Sequence, residues 1–397
     1  MTLRIRFVLL FLFLGFCNQH IQAQYKRDSV FVGGETRYFN IYLPKHYSSY
    51  SAIPLVMAFH GAGGTGWTSI KYHSKLSKKA DIEHFILVYP EGKRFQTSTY
   101  CGWNAGDCCD PSSTNNVDDV GFVNILLDTL LSRYEIDDTR IYAVGSSNGA
   151  MFSLRLACEL SERIAAVAVN AGTETFSDCH PWRPVSIINF HSVLDSTVVY
   201  NGGLGNESPI YNVYFVSQDS MMYAWKNINK CHAIDTIVYG GDSAYTLIRI
   251  SNCACNYAKM DFYTTSDGGH SWPGGGYSGR PVSQELIATD VLWDFFKEHV
   301  INCQQPQWPN IAAINNLNAE GSLKIYPNPV TDGKFQLFTN DSQLRADLTI
   351  YTLQGKVIHA QKTESHLTTV TLDAPPGIYL LQLKLNEAVF FGKIVVE

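Results

Sequence analysis

The sequence predicts an α/β protein with a doubly wound, mostly parallel sheet, followed by a small all-β sandwich. Up to about residue 300, short apolar runs typical of buried strands alternate with stretches whose apolar residues recur at helical spacing. After residue 322 the pattern changes to short strands separated only by turn residues. With 397 residues, 45% of them hydrophobic, the chain is long enough to build both cores.

The N-terminus has the three parts of a secretory signal peptide, which we place at residues 1–23. MTLRIR is a short basic region, FVLLFLFLGF is an apolar run of ten residues, and IQA before Gln24 is a small-residue cleavage site. At about 1.5 Å per residue, this run is too short to cross about 30 Å of hydrocarbon. We therefore expect an exported protein with no transmembrane segment once the signal peptide is removed.

Residues 24–303 are predicted to form the first domain. It opens with alternating apolar and polar residues over 28–44 around Gly33-Gly34, which indicates a hairpin. Amphipathic helices are predicted at VGFVNILLDTLLSRY, MFSLRLACELSERI and SQELIATDVLWDFFKEHV. They alternate with buried strands predicted at residues 54–60, 85–90, 140–145, 164–170, 185–191 and 259–265, which favours helices on both faces of the sheet.

Residues 304–322 show no hydrophobic period and are predicted to be a linker. Residues 323–397 are predicted to form the β-sandwich. Its strand candidates are LKIYPNP, KFQLFT, ADLTIYT, KVIHA, TTVTL, GIYLLQLKL and AVFFGKIVV.

Charge and cysteine content narrow the classes of partner. The net charge of −6, with no basic run beyond the extreme N-terminus, argues against a nucleic acid partner. Nine cysteines remain after Cys17 is removed, and in an exported chain they indicate disulfides before metal ligands. Cys231-His232 with Cys253 and Cys255 could be drawn as a zinc site, but the spacing is not that of a finger or ribbon. We expect no metal site, and the odd count leaves at least one cysteine free, paired between molecules or lost in processing.

The stretch Gly145-Ser146-Ser147-Asn148-Gly149 fits G-x-S-x-G between a predicted strand and a predicted helix. In such an elbow the serine occupies a strained turn that exposes its hydroxyl, and the flanking glycines avoid clashes with the strand and the helix. A helix N-cap serine in a glycine-rich loop is the alternative. We predict that Ser147 is a nucleophile.

A serine nucleophile needs a base that is oriented by a carboxylate, in the chain order serine, acid, histidine. Asp195 follows the predicted strand 185–191, and His270 follows the predicted strand 259–265. Asp267 is a weaker alternative acid because it lies too close to His270 in the chain to approach the ring easily. We predict the triad Ser147, Asp195 and His270.

Ester hydrolysis also needs donors aimed at the developing oxyanion. The predicted strand ending at His60 opens into Gly61-Ala62-Gly63-Gly64, which matches an HGGG-type loop. We predict that the backbone N–H groups of Ala62 and Asn148 form the oxyanion hole, and that no metal or organic cofactor is needed.

Two tryptophans are candidates for substrate contact. Trp103 lies in CGWNAG, and Trp272 follows His270 by two residues. An exposed indole near a hydrolase site can stack on a sugar or phenyl ring, and core packing is the alternative for both. Asp118-Asp119 before VGFVNILL are interpreted as helix N-terminal charges favoured by the dipole.

Taken together, these motifs resemble those of the secreted feruloyl esterase and polyhydroxybutyrate depolymerase group, in carbohydrate esterase family one. The matching stretches, within about residues 28–300, are HGAGG, WNAGDCC, VDDVGF, GSSNGAM, HSVLDSTVVYNGG and GGHSWPGGG. The resemblance implies an α/β-hydrolase fold and the same triad. It also implies a disulfide between Cys158 and Cys179 and another from Cys231 to Cys253 or Cys255.

The acid loop departs from the pattern of this group at two positions. Ser192 stands where the group usually has glycine, and Ser196 stands where it usually has proline. This departure concerns the geometry of the loop that carries Asp195.

The C-terminal stretch resembles the sorting domain of type IX secretion cargo. The matching motifs are KIYPNPVTDGKFQL, LTIYTLQGKVI and PGIYLLQLKL. The resemblance implies that the type IX machinery is a partner and that the protein is secreted or attached to the outer cell surface. A carbohydrate-binding sandwich is the alternative.

The sequence thus predicts a secreted serine carboxylesterase that removes feruloyl or acetyl groups from plant cell-wall polysaccharide. The second hypothesis is an extracellular polyhydroxybutyrate depolymerase, because the same triad would serve a polyester. The third is a catalytically inactive surface binding protein, whose expected sign would be a broken triad or a blocked oxyanion loop.

Overall fold

The computed structural model describes residues 24–45, 47, 52–63, 66–95, 101–176, 179–205, 213–239, 245–254, 258–302, 323–326, 330, 333–339, 346–352, 356–363, 367–385 and 388–396. The chain divides into two compact units, Met1–Asn302 and Cys303–Glu397. The predicted signal peptide, residues 1–23, and the predicted linker, residues 304–322, lie outside the described residues.

The first unit contains fourteen strands and six helices among its described residues. The strands are β1 (Gln24–Val32), β2 (Glu35–Leu43), β3 (Ile53–Phe59), β4 (Ile86–Pro90), β5 (Lys93–Arg94), β6 (Cys101–Gly102), β7 (Ile136–Ser146), β8 (Ala166–Asn170), β9 (Ser186–Ser192), β10 (Gly203–Leu204), β11 (Tyr214–Phe215), β12 (Ala233–Tyr239), β13 (Tyr245–Ser251) and β14 (Met260–Thr265). The helices are α1 (Trp67–Ser74), α2 (Leu76–Glu83), α3 (Asp119–Arg133), α4 (Asn148–Glu159), α5 (Gln218–Ile228) and α6 (Ala288–Lys297).

Ten of these strands form one sheet in the order β1-β2-β4-β3-β7-β8-β9-β14-β13-β12. The central run from β4 to β14 is parallel throughout. Each edge is extended by antiparallel strands, the hairpin β1–β2 on one side and β13–β12 on the other. The predicted mostly parallel sheet and its opening hairpin are confirmed, and the hairpin β12–β13 is an addition that the sequence pattern did not bring out.

Helices cover both faces of the sheet, as alternate residues of β3 show. Leu55, Met57 and Phe59 point into one core, together with residues of α3, α4 and α5. Val56 and Ala58 point into the other core, together with residues of α1, α2 and α6. A strand with both faces buried reads as a continuous apolar run, which explains why PLVMAF carries no polar alternation.

Parallel strands end at one edge of a sheet, and this edge positions the site. The loops that follow the neighbouring strands β7, β8, β9 and β14 all begin at this edge. Ligands of open α/β sheets bind at the carboxyl ends of the strands. The loops after these four strands are therefore the expected location of the functional site.

Three disulfides join described cysteines. Cys158 pairs with Cys179, and Cys231 pairs with Cys253, in agreement with what the family resemblance implied. Cys108 pairs with its neighbour Cys109, a linkage that the sequence analysis did not anticipate. Cys101 is buried and free, and its thiol donates to the carbonyl of Gly63.

The second unit contains only strands among its described residues. They are β15 (Leu323–Tyr326), β16 (Lys334–Thr339), β17 (Ala346–Thr352), β18 (Val357–Thr363), β19 (Leu367–Thr371), β20 (Gly377–Leu385) and β21 (Ala388–Val396). They form a sheet of order β15-β16-β19 and a sheet of order β18-β17-β20-β21. Residues of both sheets, including Leu337 and Ile350, share one core, so the predicted all-β fold is confirmed.

None of the helices described in the structure is both long and apolar enough to span a bilayer.

Candidate active site

Ser147 lies on a sharp turn between β7 and α4. Its backbone has φ 56° and ψ −125°, a conformation that costs a residue with a side chain on the order of 1–3 kcal/mol. A Cβ on Gly149 would lie 2.2 Å from the carbonyl oxygen of Phe59, and one on Gly145 would lie 2.0 Å from the carbonyl oxygen of Gly149. Both flanking glycines therefore allow the strand and the helix to approach, as a nucleophile elbow requires.

Asp195 and His270 are directly hydrogen-bonded. His270 Nδ1 lies 2.8 Å from Asp195 Oδ2, which leaves Nε2 of the ring for a second partner. The other carboxylate oxygen, Oδ1, accepts the N–H groups of Thr197 and Val198 at 2.8 and 2.9 Å. These bonds fix the carboxylate, and the carboxylate fixes the ring. The alternative acid, Asp267, is exposed.

The surroundings of Asp195 keep its buried carboxyl group ionised. Burial on its own raises the pKa of Asp195, but the charge and hydrogen bond of His270, together with the Thr197 N–H group, lower it below the ordinary value. His191 is also buried, and burial lowers its pKa, so this second ring is neutral at pH 7. Asp195 is thus the charged group that can stabilise a protonated His270.

One side chain connects the serine turn with the histidine loop. Asn170, the last residue of β8, donates its Nδ2 to Ser146 Oγ and to the carbonyl oxygen of Ser271, each at 3.2 Å. The backbone carbonyl oxygen of Asn170 accepts the N–H of Ser147 at 2.9 Å. The neighbours of both Ser147 and His270 are therefore held by a single residue that is 1% exposed.

The loop after β3 reaches the same turn. A Cβ on Gly61 would lie 3.1 Å from Ser147 Cβ, so this loop packs directly on the candidate nucleophile. A Cβ on Gly102 would lie 2.9 Å from Asn148 Oδ1 and 3.6 Å from Ala62 Cβ, so Gly102 packs against both residues that are predicted to supply oxyanion donors. The N–H of Asn148 is in the first turn of α4, where amides have no intrahelical partner and favour negative charge.

The side chain of Asn148 has a separate role from its backbone. Its Oδ1 accepts the N–H of Trp103 at 2.7 Å, and its Nδ2 donates to the carbonyl oxygen of Trp103 at 3.0 Å. Asn148 is completely buried. It therefore clamps the segment that contains Gly102 and Trp103 against the start of α4.

Both tryptophans that the sequence suggested as substrate contacts are buried. Trp103 is 0% exposed and donates its indole N–H to the carbonyl oxygen of His60 at 2.9 Å. Trp272 is 3% exposed and donates its indole N–H to Thr289 Oγ1 at 3.0 Å. Neither exposes a ring face, so the stacking role predicted from the sequence does not fit these positions. Their contacts support the two loops that carry the site.

Within the part of the chain that the structure describes, no three histidine, cysteine, aspartate or glutamate side chains are grouped so as to hold a metal ion.

Two protein-family models match separate parts of the chain. A family model described as "Putative esterase" matches residues 32–249, more than half of the chain. The chain belongs to this esterase family. A second model, the secretion system C-terminal sorting domain, matches residues 324–397 of the esterase and supports a secreted or surface-attached protein.

Relatives of this chain include proteins named as a feruloyl esterase and an acetylxylan esterase. It is 28% identical over 262 residues to feruloyl esterase B of Piromyces equi, a match covering 64% of this chain and 44% of that protein. It is 27% identical over 184 residues to a bifunctional acetylxylan esterase/xylanase of Neocallimastix patriciarum, covering 44% of this chain and 23% of that protein. The chain thus spans less than half the length of either relative. These similarities support a carboxylic-ester hydrolase.

Among solved structures, an acetyl xylan esterase from Aspergillus awamori aligns with the esterase at a TM-score of 0.46 and 16% identity. The alignment covers 69% of this chain and 99% of that one.

Sequence reasoning missed Asn170 and did not foresee the use of Ser192. Ser192 Oγ donates to the carbonyl oxygen of Gly268 at 2.6 Å and accepts the N–H of Leu194 at 3.1 Å. Ser192, which stands where the related group usually has glycine, therefore connects the loop of Asp195 to the loop of His270. A polar residue at the last position of a buried strand, as in both cases, is the signal that could have revealed them.

Replacing Asn170 with alanine is expected to lower kcat for a soluble ester about 10- to 100-fold and to change KM less than about twofold. The substitution removes the two donor contacts that connect the serine turn with the histidine loop, so the predicted triad should lose alignment while substrate contacts remain. Steady-state kinetics with methyl ferulate would measure this effect.

Asn229 provides a matched control for Asn170. It is also fully buried, and its amide exchanges two hydrogen bonds with the backbone of Val185, at the opposite end of β9 from the site. Asn229→Ala is expected to lower the melting temperature and to leave kcat near the wild-type value. Equal losses of kcat in the two variants would contradict the role given to Asn170.

His60 makes the esterase sensitive to mild acid. Burial lowers its pKa to about 4, although its hydrogen bond to the Gly61 carbonyl opposes the shift. Its Nε2 accepts the N–H of Gly92 at 3.0 Å, a bond that protonation would break. An unfolded histidine binds a proton near pH 6.5, so between pH 6.5 and 4 the unfolded state binds more protons and is favoured as the pH falls.

The free energy of unfolding is therefore expected to decrease by up to about 3 kcal/mol from this residue as the pH falls from 6.5 to 4. Urea unfolding at several pH values would measure the slope. In His60→Gln the dependence of the unfolding free energy on pH should correspond to about one bound proton fewer. The contribution of His299, whose pKa burial also lowers to about 4, should remain. An unchanged slope in His60→Gln would refute the assignment.

Proposed function

We propose that the protein is a secreted serine esterase that removes feruloyl or acetyl groups from plant cell-wall polysaccharide. The observation that carries the proposal is Ser147 in a strained, positive-φ turn between β7 and α4. Asn170 links its neighbour Ser146 to the loop of His270, whose ring is bonded to the buried Asp195. Membership of the esterase family and the names of the relatives support the ester bond as the target.

In the proposed mechanism Ser147 Oγ attacks the ester carbonyl carbon while His270 Nε2 accepts the hydroxyl proton. Asp195 stabilises the resulting imidazolium through its 2.8 Å bond to Nδ1. The N–H groups of Ala62 and Asn148 donate to the oxyanion, contributions typically worth about 3 kcal/mol each. When the intermediate collapses, the alcohol leaves with the proton from His270, and a water molecule activated by the same ring then releases the acid and restores Ser147.

Export is part of the proposal. The signal peptide would bring the chain to the periplasm, and the C-terminal sorting domain would engage the type IX machinery for passage across the outer membrane. The mature protein would then be released or remain attached to the cell surface.

The test is an assay of the purified protein on methyl ferulate, acetylated xylan and a polyhydroxybutyrate film, with identification of the released acid. Hydrolysis of either of the first two supports the proposal. Preference for the film would replace it by a polyester depolymerase, and no hydrolysis of any ester would support a binding protein instead.

A further inference from the structure

A groove of about 500 Å³ runs along the outer side of α1 and α2, apart from the triad. It is lined by Thr68, Lys71, Tyr72, Lys75, Ser77 and Lys78, which we call the lysine groove. The groove is positively charged, contains an exposed aromatic ring and contacts the loop that carries His270.

The three lysines of the groove form a local positive charge on a protein whose net charge is −6. In the described part of the chain, none of them pairs with a carboxylate, whereas Lys79 on the other side of α2 is paired with Asp290 at 2.8 Å. The ammonium group of Lys71 is held in place above the ring of Tyr25, 3.7 Å from its centroid. The groove therefore offers cationic groups whose charge is not already neutralised, and one of them is preorganised.

Tyr72 provides an aromatic surface in the same groove. It is 64% exposed, yet its ring is supported from behind by Gly276, where an added Cβ would lie 2.8 Å from Tyr72 Cε1. The N–H of Gly276 donates to the carbonyl oxygen of His73 at 3.1 Å, which keeps this support in place. A large exposed ring with a fixed orientation is suited to stacking against the apolar face of a sugar.

The groove is joined to the loop that carries His270. Lys75 Nζ lies 3.4 Å from the carbonyl oxygen of Gly274, four residues after His270. On the buried side, the indole of Trp272 donates to Thr289 Oγ1, and this hydroxyl donates to the carbonyl oxygen of Ser74. A polymer bound in the groove would therefore lie beside an element of the active site.

We propose that the lysine groove binds a carboxylated sugar, a uronic acid unit of the polysaccharide whose esters the active site hydrolyses. The sugar ring stacks on Tyr72 and its carboxylate is bound by the ammonium groups of Lys71, Lys75 and Lys78. The assignment rests on the proposed function for the identity of the polymer. It makes the protein selective for acidic regions of the cell wall, where charge attracts the polymer and the ester is presented nearby.

Binding is tested without hydrolysis, in a Ser147→Ala background, by affinity electrophoresis in glucuronoxylan and in the same xylan after reduction of its carboxyl groups. Lys71→Gln/Lys75→Gln/Lys78→Gln is expected to weaken binding of glucuronoxylan about tenfold at low salt. Binding of the carboxyl-reduced xylan should be weaker in the parent and unaffected by the triple change. Tyr72→Ala should weaken binding of both polymers, because it removes the stacking surface alone.

A matched control removes the same charge elsewhere. Lys226→Gln/Lys230→Gln/Lys356→Gln changes the net charge by the same amount, and it should bind glucuronoxylan like the parent. With Ser147 restored, the groove variant should show a raised KM for acetylated glucuronoxylan that exceeds any change in its KM for methyl ferulate. This increase should vanish at high salt, where exposed charges are screened.

Three outcomes would overturn the proposal. They are unchanged binding in the groove variant, equal weakening of both polymers by the lysine changes, and tighter groove-dependent binding of anionic phospholipid vesicles or duplex DNA than of glucuronoxylan. Failure of the proposed function would look different, because the wild type would then prefer the polyester film or hydrolyse no ester, while the electrophoresis still decides what the groove binds.

Discussion

Replacing Ser147 with alanine is expected to reduce ester hydrolysis by about 10⁴-fold while leaving the melting temperature within a few degrees of the wild type. The variant removes the nucleophile but retains the oxyanion donors, so a small residual rate above the uncatalysed reaction remains. The fold should be retained because alanine keeps the Cβ of serine and loses only the hydroxyl group. Single-turnover assays with methyl ferulate and thermal unfolding would measure both effects.

Ser146 supplies the matched control for this experiment. It lies directly before Ser147, and its hydroxyl accepts a hydrogen bond from Asn170. Ser146→Ala should therefore retain activity within about tenfold of the wild type. Activity of Ser147→Ala above a few per cent, or a greater loss in Ser146→Ala, would show that the nucleophile has been wrongly assigned.

Replacing Gly149 with alanine is expected to destabilise the protein by more than about 3 kcal/mol. The new Cβ would lie 2.2 Å from the carbonyl oxygen of Phe59, the last residue of β3, and 2.5 Å from that of His60, the next residue. Neither carbonyl can move without shifting β3, so α4 would be displaced from the sheet. Loss of soluble protein, or a large fall in the urea midpoint, would be the observed result.

Gly121→Ala tests whether the collision, rather than the loss of a helical glycine, causes the effect. Here the added Cβ would lie 2.1 Å from Asp118 Oδ2, which belongs to a side chain that can rotate away. The expected cost is the N-cap hydrogen bond that the Gly121 N–H donates to Asp118, worth about 1 kcal/mol. The better helix propensity of alanine partly offsets this cost. Similar urea midpoints for the two variants would contradict the explanation.

The candidate catalytic residues could be predicted from the sequence because each of them follows a parallel strand. Ser147, Asp195 and His270 each follow an apolar run, and the topology then requires their loops to meet at one edge of the sheet. The two covered faces and the all-β second unit were also predictable, because burial determines the hydrophobic period. The hairpin β12–β13 was harder to foresee, since an edge hairpin that adds to an existing sheet needs no long apolar run.

Residues that act through the backbone of others could not be identified from the pattern. Asn170 resembles any polar residue at the end of a strand, and only the fold reveals that its amide bonds to two different loops, at residues 24 positions before it and 101 positions after it. Trp103 and Trp272 resemble substrate platforms because aromatic residues occur both in cores and in binding sites. Their burial depends on neighbours such as Phe152, whose ring stacks on Trp103, and those neighbours are distant in sequence.

The two-sided use of Asn148 has a consequence for protein engineering. Its proposed contribution to turnover comes from a main-chain amide that every residue other than proline possesses, whereas its side chain holds the segment around Trp103. In a screen of all substitutions at this position, most variants would lose activity because they fold poorly. That loss could be misinterpreted as a direct effect on the reaction. Variants at Asn148 should therefore be ranked by activity per folded molecule, with expression yield treated as a separate trait.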